Sequence, residues 1–586
     1  MSDPYADLMR EGDPARGGGP SPAPSGPVWR DPTASPSGLG ETDLANAQRL
    51  ARAFGESALY VIGKGWAVRD GMRYTFRGGD VAAFDMAAQL PALIRAEADQ
   101  AAAAVPSEVE VKRFLGAELR KSRPAFATLE DAAKALRAAR RKRWEDWARK
   151  CEMVGPIKAA LEAARGRFLV DIEDLDADPW SLTVQNGRVD LRAVAGADLS
   201  GLEGPALADA RRRWLKPQDW TARPTKCAGV AFDPAADCPK WRAFLELIQP
   251  DPEVRAFLKR CLGMLVFGRN DAQVCLLLRG GGGNGKSTLT DTVQHVLGSR
   301  EGYAAACKVD MFLVTREAGP GQATPEEVDL PGARAYFASE PAATDTFSAK
   351  KIKALTGGDR RPVRGLNRDQ FYYYPRGVPV ISFNRTPRIK DEDEGTRRRL
   401  VFIPFDVELH KLPPERRRPR AEVDAELRAE GPGILNWLLD GFREFRRDGL
   451  APPQRVADLK EDLMADADPV GGFLADCCER DPDGRVGVTE LHRVFECWCE
   501  ETGAHPWGAK ALGAALVEKG LPKRKVSSWF WVGIRWKSDA FTDDLRARAA
   551  AAGDRPAAGS GGGRSERGTL SEADWAAFLG DSSPPF

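Results

Sequence analysis

The residues with the clearest chemical potential form a glycine-rich loop between an apolar run and an amphipathic segment. Glycines lack Cβ atoms, so consecutive backbone N–H groups of such a loop can turn toward phosphate oxygens. A helix that begins where the loop ends adds the partial positive charge of its N-terminus. The pattern therefore predicts a nucleotide site, in the strand–loop–helix context that a phosphate-binding loop requires. Its residues are Gly280, Gly281, Gly282, Gly283, Asn284, Gly285, Lys286, Ser287 and Thr288, after the apolar run Val274–Leu278.

Two residues of this loop have individual predicted roles. Lys286 is placed to reach the β- and γ-phosphates of ATP, and the Ser287 hydroxyl is placed to ligate Mg²⁺. The sequence thus predicts ATP and Mg²⁺ as ligands. Binding alone does not say what the ATP is used for.

Polar residues at the ends of two later apolar runs are candidates for the rest of an ATPase site. Glu340 follows Ala335–Ala338, and we expect it beside the glycine loop in a parallel sheet, where a carboxylate polarises water or supports Mg²⁺. The alternative is an ordinary strand-end glutamate. Asn384 ends the run GVPVISFN. Its amide is placed to hydrogen-bond the γ-phosphate or the attacking water, although asparagine is also a common turn former.

Three consecutive arginines, Arg397–Arg399, precede the apolar run LVFIPF. They form either a solvated sheet edge or, in a ring of subunits, a group that enters the neighbour's nucleotide site. An arginine there stabilises the charge of the transition state by a factor on the order of 10³ or more. A monomeric ATPase would not need it.

Strands and helices alternate from about 250 to 410, which is typical of an α/β core that positions such residues. The rest of the chain divides by composition and periodicity. The predicted regions are a disordered arm (1–40), an α-rich domain with an N-cap at Thr42 and a hairpin at Asp70-Gly71 (41–205), a connection (206–249), the α/β core (250–410), a charged helical extension (411–465), a winged-helix-like domain of three helical patterns and an aromatic strand (466–541), and a flexible linker with a tail (542–586).

Composition limits the class of protein. The chain has 586 residues, of which 42% are hydrophobic and 29% charged, and its net charge is +1 because 86 basic residues offset 85 acidic ones. Any nucleic-acid surface must therefore be local. No apolar window is long enough for a membrane span, and no signal pattern opens the chain, so we expect a cytoplasmic protein without membrane partners.

Three charged or cysteine-rich segments invite functional interpretations that we consider weaker. The basic run Arg140–Arg143 is interpreted as a solvated helix face. The acidic stretch Asp171–Asp178 is interpreted as a surface turn. The pairs Cys477-Cys478 and Cys497-x-Cys499 fit no usual zinc spacing and are interpreted as buried thiols in helical patterns.

Taken together, these elements resemble the superfamily 3 helicases, and more narrowly the phage/plasmid primase–helicase family, which is related to the poxvirus-type primase–helicases. The segments that carry the resemblance cover most of 41–540. They are LPGARAYFASEP, KIKALTGGDRRPVRG, FNRTPRIKDEDEGTRRRLVFIPF and GPGILNWLLDGFREFRRDGL, with TDLANAQRLARAFG, LYVIGKGWAVRDGMRY and TVQNGRVDLR upstream.

The resemblance implies a fold class: an AAA+-like α/β P-loop ATPase core with an α-rich N-terminal helicase-associated domain and a C-terminal winged-helix-like domain. It implies that Lys286, Ser287, Glu340 and Asn384 take the roles given above. The arginine finger is then Arg398 or Arg399, with Arg398 favoured. Ser339 stands where a second acid is expected, which leaves Mg²⁺ to Ser287, Glu340 and water.

The resemblance further implies a homo-hexameric, ATP-dependent DNA helicase, moving 3′ to 5′, for replication of a phage, plasmid or other mobile element. A hairpin within Asp359–Tyr374 is expected to enter the channel and grip single-stranded DNA. The predicted DNA-binding residues are Lys353, Arg364, Asn367 and Arg368. An ATP-switched origin-binding or loader protein that never unwinds remains the alternative.

The two ends of the chain complete these expectations. No primase core is evident before residue 41, so we expect a separate primase. The tail LSEADWAAFLGDSSPPF resembles the tip of bacterial single-stranded-DNA-binding proteins. Trp575, Phe578 and Phe586 are therefore predicted to recruit host replication proteins, with a disordered C-terminus as the alternative.

Overall fold

The structure is a computed structural model. It describes residues 38–120, 126, 128–315, 324, 327–342, 345–365, 369–384, 388–390, 394–467, 469–502, 506–526 and 528–553, with the backbone alone at 119–120, 388–390, 415 and 464–467. Contacts divide the chain into two units, Met1–Ala457 and Asp458–Phe586, which are described separately.

The first unit begins with helices and two small antiparallel sheets. Its helices are α1 (Asp43–Phe54), α2 (Gly79–Ala87), α3 (Leu90–Ala103), α4 (Glu108–Arg120), α5 (Leu129–Lys150), α6 (Val154–Phe168), α7 (Leu191–Ala195), α8 (Gly204–Arg212), α9 (Pro239–Ile248) and α10 (Pro252–Gly263). Its strands are β1 (Ala58–Val61), β2 (Gly65–Asp70), β3 (Arg73–Thr75), β4 (Ser181–Val184), β5 (Gly187–Asp190) and β6 (Leu215–Lys216).

The second half of this unit contains the α/β region. Its strands are β7 (Cys275–Arg279), β8 (Ala304–Ala306), β9 (Ala335–Ser339), β10 (Thr346–Ser348), β11 (Arg361–Arg364), β12 (Gln370–Tyr373), β13 (Val378–Phe383), β14 (Arg388–Lys390) and β15 (Leu400–Pro404). Its helices are α11 (Lys286–Leu297), α12 (Ala349–Gly357), α13 (Glu394–Arg397), α14 (Arg420–Ala429) and α15 (Gly431–Asp448), and α16 (Gln454–Ala467) crosses into the second unit.

Two local predictions near the N-terminus are confirmed. Thr42 caps α1, since its hydroxyl accepts the Ala45 N–H at 3.1 Å. The Asp70-Gly71 turn joins β2 to β3, with Asp70 paired to Arg73 and Gly71 at φ +58°. Glycine tolerates such a left-handed conformation without the steric cost that a Cβ brings.

A parallel sheet forms the centre of the first unit. Five strands lie in the order β15-β7-β13-β9-β8, and every neighbouring pair is parallel. Strands buried on both faces read as continuous apolar runs, as Cys275–Leu278 and Val378–Ile381 do. The sheet shares one hydrophobic core with α9, α10, α11 and α15. Its carboxyl edge is therefore held on a rigid base.

The extension after the sheet is less polar than its charge suggests. The sequence predicted a charged helical stretch over 411–465, and α14 and α15 form there. However, α15 buries a broad apolar face against α10 and α11. Leu435, Leu438 and Phe442 are fully buried members of the main core. This helix is part of the framework of the sheet.

The basic run Arg140–Arg143 lies on α5, where each of three arginines meets an acid. Arg140 is buried and pairs with Glu110 at 2.8 Å, while Arg141 pairs with Asp99 at 3.3 Å. Arg143 is bonded to Glu41. The interpretation as a solvated face is therefore wrong for Arg140, because its acidic partner lies 30 residues away and no local pattern shows it.

The acidic stretch is only partly a surface turn. Asp171, Glu173 and Asp174 are exposed. Asp176, at φ +49°, instead accepts the backbone N–H groups of Thr225 and Lys226 at 2.8 and 3.2 Å. Burial raises the pKa of this carboxyl. The stretch thus ties the chain to the connection before α9.

The second unit has its own core and a small antiparallel sheet. Its elements are α17 (Pro469–Cys477), β16 (Cys478–Gly487), α18 (Val488–Thr502), α19 (Ala509–Glu518), β17 (Lys523–Lys525), β18 (Trp529–Trp536) and α20 (Ala540–Gly553). The strand order is β16-β18-β17. Its core joins Phe473, Phe495, Leu512, Trp531 and Ile534.

The sequence predicted three helices and the aromatic strand here, but it did not predict β16. Its register shifts between Arg480 and Arg485, so the strand is irregular where the sequence contains aspartates, proline and glycine. Cys478 therefore lies in a strand, which corrects its placement in a helical pattern. Cys477, Cys478 and Cys499 are buried, and burial raises their pKa values to about 12.

Two other kinds of feature are absent from the part of the chain that the structure describes. No group of three or more histidine, cysteine or acidic residues there is arranged to hold a metal ion. No described helix combines the length and the apolar character needed to cross a bilayer.

Candidate nucleotide site

The candidate site lies at the carboxyl edge of the parallel sheet, where three neighbouring strands end. β7 leads into the glycine loop Gly280–Gly285, β13 leads into Asn384, and β9 leads into Glu340. β13 lies between the other two, with Phe383 beside Arg279 and Ser382 beside Ser339. Parallel strands bring their carboxyl ends to one edge, which is where ligands of such sheets bind.

The glycine loop uses conformations that other residues rarely adopt. Gly282, Gly283 and Gly285 have φ values of +99°, +59° and +83°. A Cβ on Gly285 would lie 2.6 Å from Cγ2 of Ile248, and one on Gly280 would lie 2.0 Å from Nδ2 of Asn284. Packing therefore requires glycine at both positions, and the positive φ requires it at Gly285 as well.

The same loop faces open space on its other side. Ideal Cβ atoms on Gly281 and Gly282 would meet no atom within 4 Å. Helix α11 begins at Lys286, directly after the loop, so its first N–H groups and its dipole point toward that space. The loop and the helix N-terminus thus form a cradle that suits an anion.

Lys286 is the buried cation at the centre of this edge. Its Nζ donates to the carbonyl of Gly280 at 2.8 Å, to Oδ1 of Asn284 at 2.9 Å and to Oδ1 of Asn384 at 3.2 Å. Burial lowers the pKa of Lys286 to about 8, against the opposing charge of Glu340. The ammonium is therefore poorly hydrated and held by three acceptors, which favours an incoming anion.

The other loop residues divide between support and exposure. Asn284 is buried, and its Nδ2 donates to the carbonyl of Phe405 at 3.0 Å, so it braces the loop against the end of β15. Thr288 is also buried. Ser287 is exposed at the start of α11, and a hydroxyl in that place is free to take part in ligation.

Glu340 and Asn384 occupy strand ends, as their positions in the sequence predicted. Glu340 has φ +58°, and its N–H donates to the carbonyl of Ser382 at 2.9 Å. A non-glycine residue in this conformation carries strain that clusters at functional sites. Glu340 does not lie on a strand next to β7, since β13 intervenes. It is Asn384 that contacts Lys286 directly.

The arginines after α13 differ in how they are held. Arg399 donates to Oγ1 of Thr356 at 3.2 Å, to the carbonyl of Gly395 at 2.6 Å and to Oε1 of Gln273 at 2.9 Å. Arg397 and Arg398 are exposed, and Arg398 has one long hydrogen bond, 3.5 Å, to Gln273. Arg399 is thus fixed by contacts within the first unit, whereas Arg398 is exposed and held by one long hydrogen bond.

The hairpin predicted within Asp359–Tyr374 is present as β11 and β12. These strands pair antiparallel, from Arg361 with Tyr373 to Arg364 with Gln370. On the inner face, Arg361 pairs with the buried Glu327 at 2.6 Å. Arg364, Gln370 and Tyr372 are exposed on the outer face.

The remaining predicted binding residues are dispersed. Lys353 is half-buried on α12, outside the hairpin. Asn367 and Arg368 at the predicted hairpin tip lie outside the described residues, as do Trp575, Phe578 and Phe586 of the tail. Their predicted contacts with DNA and with partners stay predictions.

Several residues that shape the sheet have no local signal in the sequence. His410 follows β15, and its Nδ1 would lie 3.2 Å from a Cβ on Gly283, which places the imidazole over the loop. Gln249 donates to the carbonyl of Pro404, below the loop. At the opposite edge of the sheet, just before β13 begins, the hydroxyl of Tyr336 on β9 accepts the N–H groups of Arg376 and Gly377 at 3.2 and 3.1 Å. All three act across distances of 40 residues or more along the chain.

Comparison with protein families finds two matched regions. Residues 47–250 match the family described as "D5 N terminal like", and residues 465–544 match "Poxvirus D5 protein-like". These two matches support a relationship to the D5-type primase–helicases. The resemblance that the motifs indicated is thereby confirmed.

Two viral proteins that are similar to this chain are named helicases. "Putative helicase L207/L206" of Acanthamoeba polyphaga mimivirus is 30% identical over 270 residues, which cover 44% of this chain and 28% of the relative. "Putative helicase 022R" of Frog virus 3 (isolate Goorha) is 25% identical over 308 residues, which cover 50% and 31%. The chain thus spans less than a third of the length of either relative.

One similar solved structure is the apo form of the NrS-1 C terminal region (305–718). The match has 12% sequence identity and a TM-score of 0.31, and it covers 50% of this chain and 75% of that one.

Proposed function

We propose that this D5-type chain is an ATP-driven DNA helicase whose first unit hydrolyses ATP at the carboxyl edge of the parallel sheet. The observation that carries the proposal is the hydrogen bond from Lys286, at the start of α11, to Asn384, at the end of the neighbouring strand. It brings the loop cation and a strand-end amide to one point, within the electrostatic reach of Glu340. These three groups supply charge neutralisation, water orientation and water polarisation for phosphoryl transfer.

The glycine loop fits the phosphates of ATP in shape and polarity. The Gly281–Gly282 segment leaves open space beside the first N–H groups of α11, where phosphate oxygens accept hydrogen bonds. Lys286 then exchanges its three protein acceptors for phosphate oxygens. The sequence and the geometry together support a P-loop core of the AAA+-like kind.

Mg²⁺, when bound, would neutralise phosphate charge, and Ser287 and Glu340 are the residues that would hold it. Both lie exposed at the carboxyl edge of the sheet, and both provide the oxygen ligands that this ion prefers. The protein's own part is to orient the phosphates with the loop and to hold a water near Glu340. Asn384 is placed to sense whether a γ-phosphate is present.

A ring of subunits completes the proposed site, and a closed hexamer is the expected form. Arg398 is the better candidate for the finger that reaches a neighbouring nucleotide, because Arg399 is fixed by three hydrogen bonds inside its own subunit. The outer face of the β11–β12 hairpin, with Arg364, Gln370 and Tyr372 exposed, suits a single strand in the ring channel. Movement from 3′ to 5′ follows from the family relationship alone.

The second unit supports the winged-helix-like prediction. Its order of one helix, one strand, two helices and two strands, with the first strand pairing to the last, matches that arrangement. Such a module fits a protein that acts at a replication fork or origin.

The test is strand displacement on a forked duplex, with ATP turnover measured in the same samples. We expect the wild-type chain to unwind the fork and its ATPase to rise with single-stranded DNA. Lys286→Ala should abolish both activities, and Lys259→Ala, a cation of α10 paired with Glu444 at 2.7 Å, should change neither. An ATPase that ignores DNA, or DNA binding that never separates strands, would reject the helicase proposal, and the latter would favour the loader.

A further inference from the structure

The β17–β18 hairpin of the second unit concentrates positive charge in a chain of nearly zero net charge. Lys523, Arg524 and Lys525 are consecutive on β17, which is the edge strand of the sheet. On the far side of β18, Arg485 of β16 is exposed as well. Arg485 and Arg524 form no ion pair or side-chain hydrogen bond with any residue that the structure describes. Other cations of this sheet do: Arg535 pairs with Glu479 at 2.8 Å.

Strand register places these two arginines on the outer face of the sheet. Arg524 lies opposite Phe530, and Arg485 lies opposite Val532, whereas the alternate residues Trp531 and Val486 are buried in the core. Residues directly opposite in an antiparallel pair share a face. The outer face therefore presents a half-exposed Phe530 between two arginines.

Space beside the phenylalanine is left open by a glycine. The residue opposite Phe530 on β16 is Gly487, so no side chain flanks the ring on that side. The nearest acid is Glu490, 3.6 Å from an ideal Cβ on Gly487, and its Oε1 already accepts hydrogen bonds from Trp536 and Arg546 at 3.0 Å. Neither Arg485 nor Arg524 is ion-paired with Glu490 or with any other carboxylate of the described residues.

The two lysines are oriented by aromatic rings at the edge of the same hairpin. Lys523 Nζ lies 4.9 Å from the centroid of the Trp529 ring and 5.8 Å from that of Trp531, and Lys525 Nζ lies 5.9 Å from that of Trp529. Such cation–π contacts hold flexible side chains in place. Because these lysines lie opposite Trp531 and Trp529, they occupy the face away from Arg524, and Arg485 and Arg524 are the cations of the outer face that the proposal uses.

Helix α19, which directly precedes the hairpin, lacks this concentration of positive charge. Its exposed positions are Lys510, Ala511, Ala514, Val517 and Glu518, so it carries one cation and one acid. A helix that reads a DNA groove needs polar and basic side chains toward bases and phosphates. The charge of this unit lies on the hairpin instead of on the helix.

We propose that the outer face of the β17–β18 hairpin is a second nucleic-acid site, which binds single-stranded DNA with a base stacked on Phe530 and phosphates on Arg485 and Arg524. Cations that track the backbone, combined with an aromatic ring for an unstacked base, are the two requirements for binding single strands without sequence preference. The site requires no ATP. It is distinct from the β11–β12 hairpin of the first unit.

The test is binding of the full-length, nucleotide-free chain to fluorescein-labelled oligo(dT), measured by fluorescence anisotropy. Phe530→Ala should weaken binding by at least about fivefold, because stacking on one aromatic ring contributes roughly 1–3 kcal/mol per base. Phe530→Trp should restore it. Val532→Ala removes apolar surface from the same face without removing a ring, and it should bind as the wild type does.

A charge pair of variants tests the arginines separately. Arg524→Gln should lower the slope of log affinity against log salt concentration by about 0.7, the value for one single-strand phosphate contact. Lys510→Gln on α19, which removes the same charge from the same unit, should leave the slope unchanged. Circular dichroism melting verifies that each variant is folded.

A third measurement does not depend on any variant. Photo-crosslinking of the wild-type chain to a 5-bromouracil oligonucleotide should yield a modified peptide that contains Phe530. Wild-type affinity and salt slope in both Phe530→Ala and Arg524→Gln, or loss of duplex binding alone, would overturn the proposal. Because no ATP is present, these results stand apart from the ATPase and unwinding assays.

Discussion

The carboxyl edge of the parallel sheet and the outer face of the β17–β18 hairpin hold their cations in opposite ways. At the sheet edge, Lys286 is buried and donates to three oxygens, none of which is charged. On the outer face of the small sheet, Arg485 of β16 and Arg524 of β17 stand in solvent with no acidic partner among the described residues. A buried cation selects one ligand, is poorly hydrated, and binds an anion only while it is protonated. An exposed cation binds anions without such selection, and its affinity for them depends on salt concentration. The first arrangement suits chemistry on one ligand, and the second suits a grip on any strand.

The largest expected effect separates two adjacent arginines. Arg398→Ala should reduce ATP turnover by about 10³-fold in the assembled ring, the scale of a lost arginine finger, with little change in thermal stability. Arg399→Ala should instead lower the free energy of unfolding by roughly 1–3 kcal/mol, because it leaves a hydrogen-bonded cluster without its donor. Steady-state ATPase and thermal melting of both variants decide this. Equal stability losses would contradict the assignment.

The next effect tests whether the sheet edge and the hairpin act independently. Lys286→Ala should lower ATP turnover by about 10²–10³-fold, as expected for removal of a donor to transition-state charge. The same variant should bind oligo(dT) in the absence of nucleotide with the affinity of the wild type. If Lys286→Ala lost both ATP turnover and nucleotide-free oligo(dT) binding, the two sites would not be independent.

A smaller effect comes from the proton on Lys286. Burial holds its pKa at about 8 before nucleotide binds, while phosphate oxygens favour the protonated ammonium. Above pH 8 the site must therefore take up a proton to bind ATP, so affinity should fall by at most about tenfold per pH unit. Below pH 8 this group contributes no pH dependence. Titration of a fluorescent ATP analogue from pH 7 to 9.5 measures it, and Lys286→Ala should lack the effect.

The smallest expected effect is that of salt. Two phosphate contacts at about 0.7 each predict that oligo(dT) affinity of the hairpin falls roughly sevenfold between 50 and 200 mM salt. The ATP affinity of the buried site should fall less over the same range, since salt only weakly screens the interaction between the buried Lys286 and the phosphates of ATP. Anisotropy and nucleotide titrations at matched salt concentrations make the comparison. A steeper salt dependence for ATP binding than for oligo(dT) binding would contradict the expected contrast between the buried and the exposed cations.

What the sequence could predict was largely local. The glycine loop, the N-cap at Thr42 and the Asp70-Gly71 hairpin each depend on residues within a few positions of one another. Glu340 and Asn384 follow apolar runs, and this position predicted that both lie at strand ends. A strand that is buried on both faces must end where polar residues begin.

What it could not predict depends on pairing between distant segments. The insertion of β13 between β7 and β9 makes Asn384, and not Glu340, the direct neighbour of Lys286. The burial of Arg140 depends on Glu110 of another helix. β16 was missed because its irregular pairing tolerates turn-forming residues that usually end a strand. No periodic pattern in the sequence indicates any of these three pairings.

Strand β13 has a consequence for how the two ends of the first unit communicate. At the end of β13, Asn384 accepts a hydrogen bond from Lys286. Just before its start, between β12 and β13, the N–H of Gly377 donates to the hydroxyl of Tyr336. Between them the strand is bonded on both sides, so it moves as one stiff rod roughly 20 Å long. In the proposed cycle, bound ATP draws Lys286 away from the Asn384 amide at one end of β13, while the β11–β12 hairpin, which is proposed to bind DNA, precedes the other end. In this proposal, nucleotide binding is transmitted to the hairpin along the six residues of β13.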